Sequence, residues 1–163
     1  MILDTGPIRE MVTFRAVAEY GFERLQEELH FITDPESYER SSQFIGSFRS
    51  KTTSASVVAE LNYWIRRTEP AGLERLWNRV AEEFREMQMD EEVVRLVDMA
   101  SAGELGLGML AKLGSVDVSL MGLALRHARD GALLLTTDSP LCGECERAGL
   151  HVSHFQDVVL PRD

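Results

Sequence analysis

Cysteine is almost absent from this chain of 163 residues: there are two, Cys142 and Cys145. That excludes a disulfide-stapled scaffold and leads us to expect a reducing, cytoplasmic setting. Lysine is as scarce, with Lys51 and Lys112 beside 15 arginines among the 17 basic residues. Long hydrophobic runs are missing too. No stretch approaches the roughly 20 apolar residues of a spanning helix, and the amino terminus has no basic-then-apolar leader pattern, so no membrane association is expected. No repeat, low-complexity tract or Gly/Ser linker marks a second domain. One domain over 1–163 is therefore expected, close to the usual size of roughly 100–150 residues. Positive charge is in deficit: 27 Asp plus Glu oppose 17 Lys plus Arg, a formal net charge of -10. Taken as an average, that argues against generic nucleic-acid binding, which rests on Lys and Arg.

The charge is unevenly spread. Residues 1–39 sum to -6, 40–68 to +4, 69–104 to -6 and 105–163 to -2. The basic island consists of Arg40, Arg49, Lys51, Arg66 and Arg67, broken by Glu60. Arginine suits bidentate phosphate contact, although a solvated surface face is the plainer account of such an island.

Hydrophobic patterning alternates strands with helices. Met1-Ile2-Leu3-Asp4 reads as a buried strand, then a turn and a helix with Pro7 near its start. Helical periodicity runs over 8–30, divided at Gly21, and Asp34-Pro35 opens another helix. Lys51-Thr52-Thr53-Ser54 reads as a strand feeding a helix over Ser56–Arg67, with a further helix at 71–83. The alternation in Phe84–Met89 predicts a strand, and helices are expected at 91–101, 105–112 and 117–129. Ala132–Leu135 predicts a strand ending in Thr136-Thr137-Asp138, then a helix to Ala148 and a last strand over Leu150–Phe155. Strands separated by helices imply a three-layer α/β/α sandwich around a mostly parallel sheet. Ligands of such sheets bind beyond the carboxyl ends of the strands.

Four acids stand where apolar or turn residues would serve. Asp4 and Asp138 each follow an apolar run, so both should project from the same sheet edge; a capping role is the simpler alternative for each. Asp117 opens the stripe Leu120-Met121-Ala124-Leu125-Ala128, in the position of a core residue. Glu60 flanks the stripe Val57-Leu61-Trp64-Ile65, and Arg66 and Arg67 lie too far along the helix to pair with it well. Converging carboxylates repel one another in a cleft, and hard divalent cations such as Mg²⁺ or Mn²⁺ relieve that repulsion. A carboxylate-held ion suits hydrolysis of phosphodiesters.

These segments resemble a known family. Ile2-Leu3-Asp4-Thr5-Gly6-Pro7, Ser56-Val57-Val58-Ala59-Glu60-Leu61, Ser115-Val116-Asp117-Val118-Ser119-Leu120-Met121 and Leu134-Leu135-Thr136-Thr137-Asp138 look like the four motifs of PIN domains, in order, from residue 1 to about 155. The resemblance implies an α/β/α fold and a metal-dependent endoribonuclease, including the toxin subunits of toxin–antitoxin pairs. It implies Asp4, Glu60, Asp117 and Asp138 as the catalytic and metal-holding quartet for Mg²⁺ or Mn²⁺. Arg49, Lys51, Arg66 and Arg67 would then grip the RNA, and an antitoxin-like protein would be a partner. The connections between Asp4 and Glu60, and before Asp117, are longer than in compact toxin members. Thr5 and Thr136 could orient a carboxylate, with ordinary turn bonding the simpler reading. A catalytically silent RNA-binding or scaffold module of the same fold is the alternative, and a phosphatase acting on small phosphate esters is a third.

Other signals carry less. Cys142 and Cys145 form a C-x-x-C near His151 and His154, but helix and strand placement sets the pairs apart, so a structural role is expected rather than zinc. Trp64 and Trp77 read as core. The glycines at 103, 106, 108 and 114 surround an apolar patch that suits a mobile helix pair or a homodimer surface.

Overall fold

Ile2 and Leu3 form β1, and both side chains are buried, although successive strand residues face opposite sides of a sheet. The same holds for Leu134 and Leu135 of β4 (Leu133–Thr136). Both faces of the central strands are therefore covered, as a three-layer α/β/α sandwich requires. The computed structural model describes residues 1–68, 70–95 and 107–160. Within them β2 is Lys51–Ser54, β3 Met89–Glu92 and β5 His151–His154, and the strand order is β3-β2-β1-β4-β5 with every pairing parallel. Ile2 sits between Thr52 and Leu134 in register.

The helices are α1 (Thr5–Tyr20), α2 (Glu23–Gln26), α3 (Pro35–Gly46), α4 (Ala55–Thr68), α5 (Leu73–Met87), α6 (Leu107–Leu113), α7 (Ser115–Arg126), α8 (Ser139–Arg147) and α9 (Phe155–Val159). Each start and stop has a local cause. Asp34 caps α3 with a reciprocal bond to Ser37, and Pro35 fits the first turn, where an N–H would be unsatisfied anyway. Gly21 ends α1 with φ of 67°, in the left-handed region that glycine tolerates. The stripe Val57-Leu61-Trp64-Ile65 is buried, as its spacing predicts, and packs α4 into one core with Ile2, Leu3, Leu120 and Leu134. Trp77 is half-buried against that core.

Two expectations in the middle of the chain fail. Phe84–Met87 belongs to α5, because Leu76, Val80 and Met87 continue a buried helical stripe through them. Gln88 then ends the helix with φ of 53°. The strand begins at Met89, so the helix expected from 91 is β-structure at its first residues; the rest of 91–101 lies largely outside the described residues. β3 is an edge strand carrying Asp90, Glu91 and Glu92, and charges on an edge discourage further pairing. The glycine-rich patch also begins outside the described residues. From Leu107 it continues as α6, whose Met109 and Leu113 pack against the core. The short α9 after β5 was not anticipated. No described helix is long and apolar enough to cross a membrane.

Strand order decides where a ligand can sit. From β1 the chain moves outward through β2 to β3, then returns to the other side of β1 as β4 and β5. Connections from adjacent β1 and β4 thus diverge, and such a switch point opens a crevice at the carboxyl ends of those strands.

Candidate functional site

Asp4 directly follows β1, and its backbone N–H donates to Leu135 O at 3.1 Å. Across the crevice Asp138 lies two residues beyond β4. Asp117 approaches from the first turn of α7, and Glu60 from α4. All four line one cavity of about 430 Å³, with Thr5, Arg9, Glu28, Tyr63, Trp64, Arg67 and Thr137. The four acids of the sequence reading are therefore brought together.

Hydrogen bonds fix their orientations. Asp4 caps α1: Oδ1 accepts from Thr5 N at 2.6 Å, and Oδ2 accepts from the Thr136 hydroxyl, also at 2.6 Å. The same hydroxyl oxygen accepts from Asp138 N at 2.9 Å. Asp138 caps α8, with Oδ1 accepting from Leu141 N at 2.7 Å. The Thr5 hydroxyl donates to Glu60 Oε2, tying α1 to α4. Both threonines thus orient carboxylates, which goes beyond the turn bonding expected of them. Capping and cavity lining are not alternatives for Asp4 and Asp138, since a carboxylate has about four lone-pair sites and each cap uses one. Ser119 anchors α7 from below, its hydroxyl lying 2.8 Å from Ser54 Oγ and 2.6 Å from Val116 O. That contact holds the Asp117 helix against the end of β2, where α4 begins.

Close approach is needed elsewhere too. A Cβ on Gly6 would stand 1.9 Å from Thr137 Oγ1, so α1 and the segment after β4 meet only because residue 6 has no side chain. Behind them, Glu10 is buried and accepts from the backbone N–H groups of His30, Phe31 and Ile32 at 3.0–3.1 Å. It pins the segment that carries Glu28 to the cavity.

The electrostatics are those of crowded carboxylates. Burial pushes Asp4 up to about 6, against the downward pull of its bonds from Thr136 and Thr5, while Glu60 and Asp138 add repulsion. Asp117 rises to about 7, first through burial and then through repulsion from Asp4, Asp138 and Glu60. Glu60 is exposed at the rim, not buried as its flanking position suggested. Among the described residues no Lys, Arg or His forms an ion pair with any of the four. Nor do any three described acid, imidazole or thiol side chains stand close enough to hold an ion as they are placed.

The basic island does not gather here. Arg67 lines the cavity. Arg66 is exposed, donates to Asn62 Oδ1 at 3.2 Å and is not part of the lining. Lys51 begins β2 and Arg49 precedes it, so both lie at the opposite edge of a parallel sheet from Asp4 and Asp138. Lys51 is buried and donates to Phe48 O at 2.9 Å; Arg49 lines a separate cavity of about 370 Å³ beside His127 and Gly131. Arg9, Glu28 and Tyr63 were not foreseen. Only the position of Arg9, one helical turn beyond Thr5, carried a hint of it.

Cys145 is in the core and Cys142 is half-buried, and burial pushes their thiols up to about 12 and about 11. Neither is a thiolate at neutral pH. His154 faces Thr137 O through Nε2 at 2.9 Å and accepts from Gln156 N through Nδ1, which fixes the Nε2–H tautomer. Trp64 is buried and also reaches the cavity wall. Compared with protein-family models, with curated proteins and with solved structures, the chain matches none.

Proposed function

We propose that this chain is a PIN-like endoribonuclease that works with Mg²⁺ or Mn²⁺. One observation carries the reading: the four motif acids, far apart in sequence, line a single cavity at the switch point of the sheet. In donor chemistry, though not in their present spacing, the residues suit the ion: four carboxylates without a cationic partner among the described residues match a hard divalent cation. Asp4, Glu60 and Asp117 would hold it, with Asp138 completing the set. When bound, such an ion supplies a nucleophilic water and offsets charge on the phosphate oxygens. The chain's own contribution is orientation: Thr136 and Thr5 N–H hold Asp4, the Thr5 hydroxyl holds Glu60, and the Leu141 N–H holds Asp138. The amino-terminal ends of α1 and α8 also meet at this edge, and their dipoles favour an anionic substrate there.

The experiment is cleavage of labelled single-stranded RNA by the purified protein with Mg²⁺ or Mn²⁺, beside Asp117→Asn. Cutting by the parent and at least a 100-fold loss in the variant are expected, on the order of one lost transition-state contact of ~2.7 kcal/mol. Equal cutting by both would sink the assignment. A role as a toxin of a toxin–antitoxin pair, acting in the cytoplasm, requires in addition that induced expression arrest growth for the parent and not for Asp117→Asn.

The second reading is a module of the same fold that binds RNA without cutting it. It is favoured by the absence, among the described residues, of three ligands already grouped for an ion. RNA binding by a parent that neither cuts nor takes up Mn²⁺ in calorimetry would decide for it.

A further inference from the structure

Arg9 and Arg67 line the carboxylate cavity, yet neither has an ion-pair or hydrogen-bond partner among the described residues, although Glu28 lines the same space. The Arg9 Nε is buried with its hydrogen-bonding capacity unused. A guanidinium held among carboxylates but paired with none of them is free to meet an external anion, and phosphate is the anion its fork geometry fits. Tyr63 lines the same cavity, and its large side chain is 67% exposed. An apolar ring gains nothing from water at such a position, whereas a nucleobase offers it a π-face.

Helix geometry orders these groups. At 3.6 residues per turn, Glu60, Tyr63, Trp64 and Arg67 fall within about 100° of one another on α4. From Glu60 to Arg67 is about 10 Å along the axis, near the rise of three stacked nucleotides at roughly 3.4 Å each. Arg9 faces this stripe from α1, one turn beyond Thr5, whose hydroxyl reaches Glu60. We propose that the Glu60–Tyr63–Arg67 face of α4, opposed by Arg9, is a docking track for an unpaired nucleotide strand: Tyr63 stacks a base, and Arg9 and Arg67 hold flanking phosphates. The proposal rests on the nuclease reading for the identity of the ligand and assigns the side chains that hold the unpaired strand. A base paired in a duplex is already stacked and cannot lie on Tyr63. The track also accounts for how a chain of charge -10 engages RNA: it needs two cations beside the site, not a basic surface.

The test is fluorescence anisotropy on the full chain carrying Asp117→Asn, in Mg²⁺ buffer, with a labelled RNA of about 12 nucleotides, single-stranded or annealed to its complement. Tyr63→Leu, Arg67→Gln and Arg9→Gln, each added to that background, should weaken single-strand binding about ten-fold. Each arginine variant should also lower the slope of log affinity against log salt by about 0.7. Arg66→Gln, about 100° round the helix from Arg67, should change neither quantity. Duplex should bind about ten-fold more weakly than the single strand. Unchanged binding by Tyr63→Leu, equal affinity for duplex, or a loss in Arg66→Gln as large as in Arg67→Gln would overturn the track. Track-dependent binding beside a parent that does not cut would refute the nuclease reading alone. Cutting by a parent whose binding ignores Tyr63 and both arginines would refute the track alone.

Discussion

The Thr136 hydroxyl donates to Asp4 Oδ2 at 2.6 Å and, through the same oxygen, accepts from Asp138 N at 2.9 Å. One buried hydroxyl at the end of β4 thus sets the first acid of the cavity and the backbone of the last. Thr136→Val keeps the shape and removes both bonds, leaving a buried carboxylate oxygen and an N–H unsatisfied. It should destabilise the fold by about 1–3 kcal/mol, whereas Thr136→Ser should recover most of that loss. Urea unfolding of the three proteins measures it. Val and Ser variants of equal stability would show that the hydroxyl orients nothing.

Asp4 and Asp117 make stability depend on pH with a sign opposite to that of a paired carboxylate. Their folded values are raised to about 6 and about 7, from an ordinary 3.8. Between those limits the folded state binds more protons than the unfolded state, so stability falls as pH rises from about 4 to about 7, and levels off above. For buried Asp4 the loss is up to about 3 kcal/mol. In EDTA, Asp117→Asn should show a shallower decline and melt at a higher temperature than the parent at pH 8. Saturating Mn²⁺ should flatten the decline in the parent and add about 2.7 kcal/mol of stability at a hundred times Kd, which raises the melting temperature. A parent whose stability rises over this range would contradict the burial and crowding of carboxylates inferred for the cavity.

The acids were legible in sequence because each breaks its local pattern. Asp4 and Asp138 end apolar runs, and Asp117 opens a stripe that continues in Leu120, Met121 and Ala124. β1, β2 and β4 were legible for a similar reason, as short apolar or β-branched runs. β3 was not, since an edge strand needs only one paired side and Met89-Asp90-Glu91-Glu92 has three acids. Arg49 and Lys51 stand away from the acids because closeness in sequence is not closeness in space. Four residues of β2 carry the chain across the sheet, from the edge where Lys51 starts to the edge where the acids lie. Arg9 and Tyr63 were hidden for the opposite reason. An arginine or tyrosine on an exposed helix face is ordinary, and only the packing of α1 against α4 gives those two a shared cavity.

Gly6 is where that packing is tightest. An added Cβ would meet Thr137 Oγ1 at 1.9 Å, Cγ2 at 2.8 Å and Cβ at 2.9 Å, so no rotation of Thr137 relieves the contact. Gly6→Ala should cost about 1–3 kcal/mol by overpacking and should displace α1 from the segment after β4. Adding Thr137→Ala removes the two outer atoms and leaves the third. The double variant should therefore recover part of the loss, giving a coupling of at least about 0.5 kcal/mol in a double-mutant cycle. Strictly additive effects would place the two residues out of contact.

Glu10 tests whether the 28–32 segment matters to the cavity at all. Its buried carboxylate takes His30 N on Oε1, and Phe31 N and Ile32 N on Oε2. Glu10→Gln retains one acceptor oxygen and turns the other into a donor that faces a backbone N–H. At least one buried N–H is then orphaned, at a cost of about 1–3 kcal/mol, and Glu10→Ala should cost more because all three lose their acceptor. Hydrogen exchange reads the consequence locally: the amides of His30, Phe31 and Ile32 should exchange faster in both variants, before the amides of β1 or β4 change. Since Glu28 lines the cavity and the four acids are held by other elements, Glu10→Gln should leave cation binding within about three-fold of the parent, in the range of a surface-level perturbation of ~0.5 kcal/mol. Loss of cation binding in step with the exchange of these amides would instead make the segment part of the ion site.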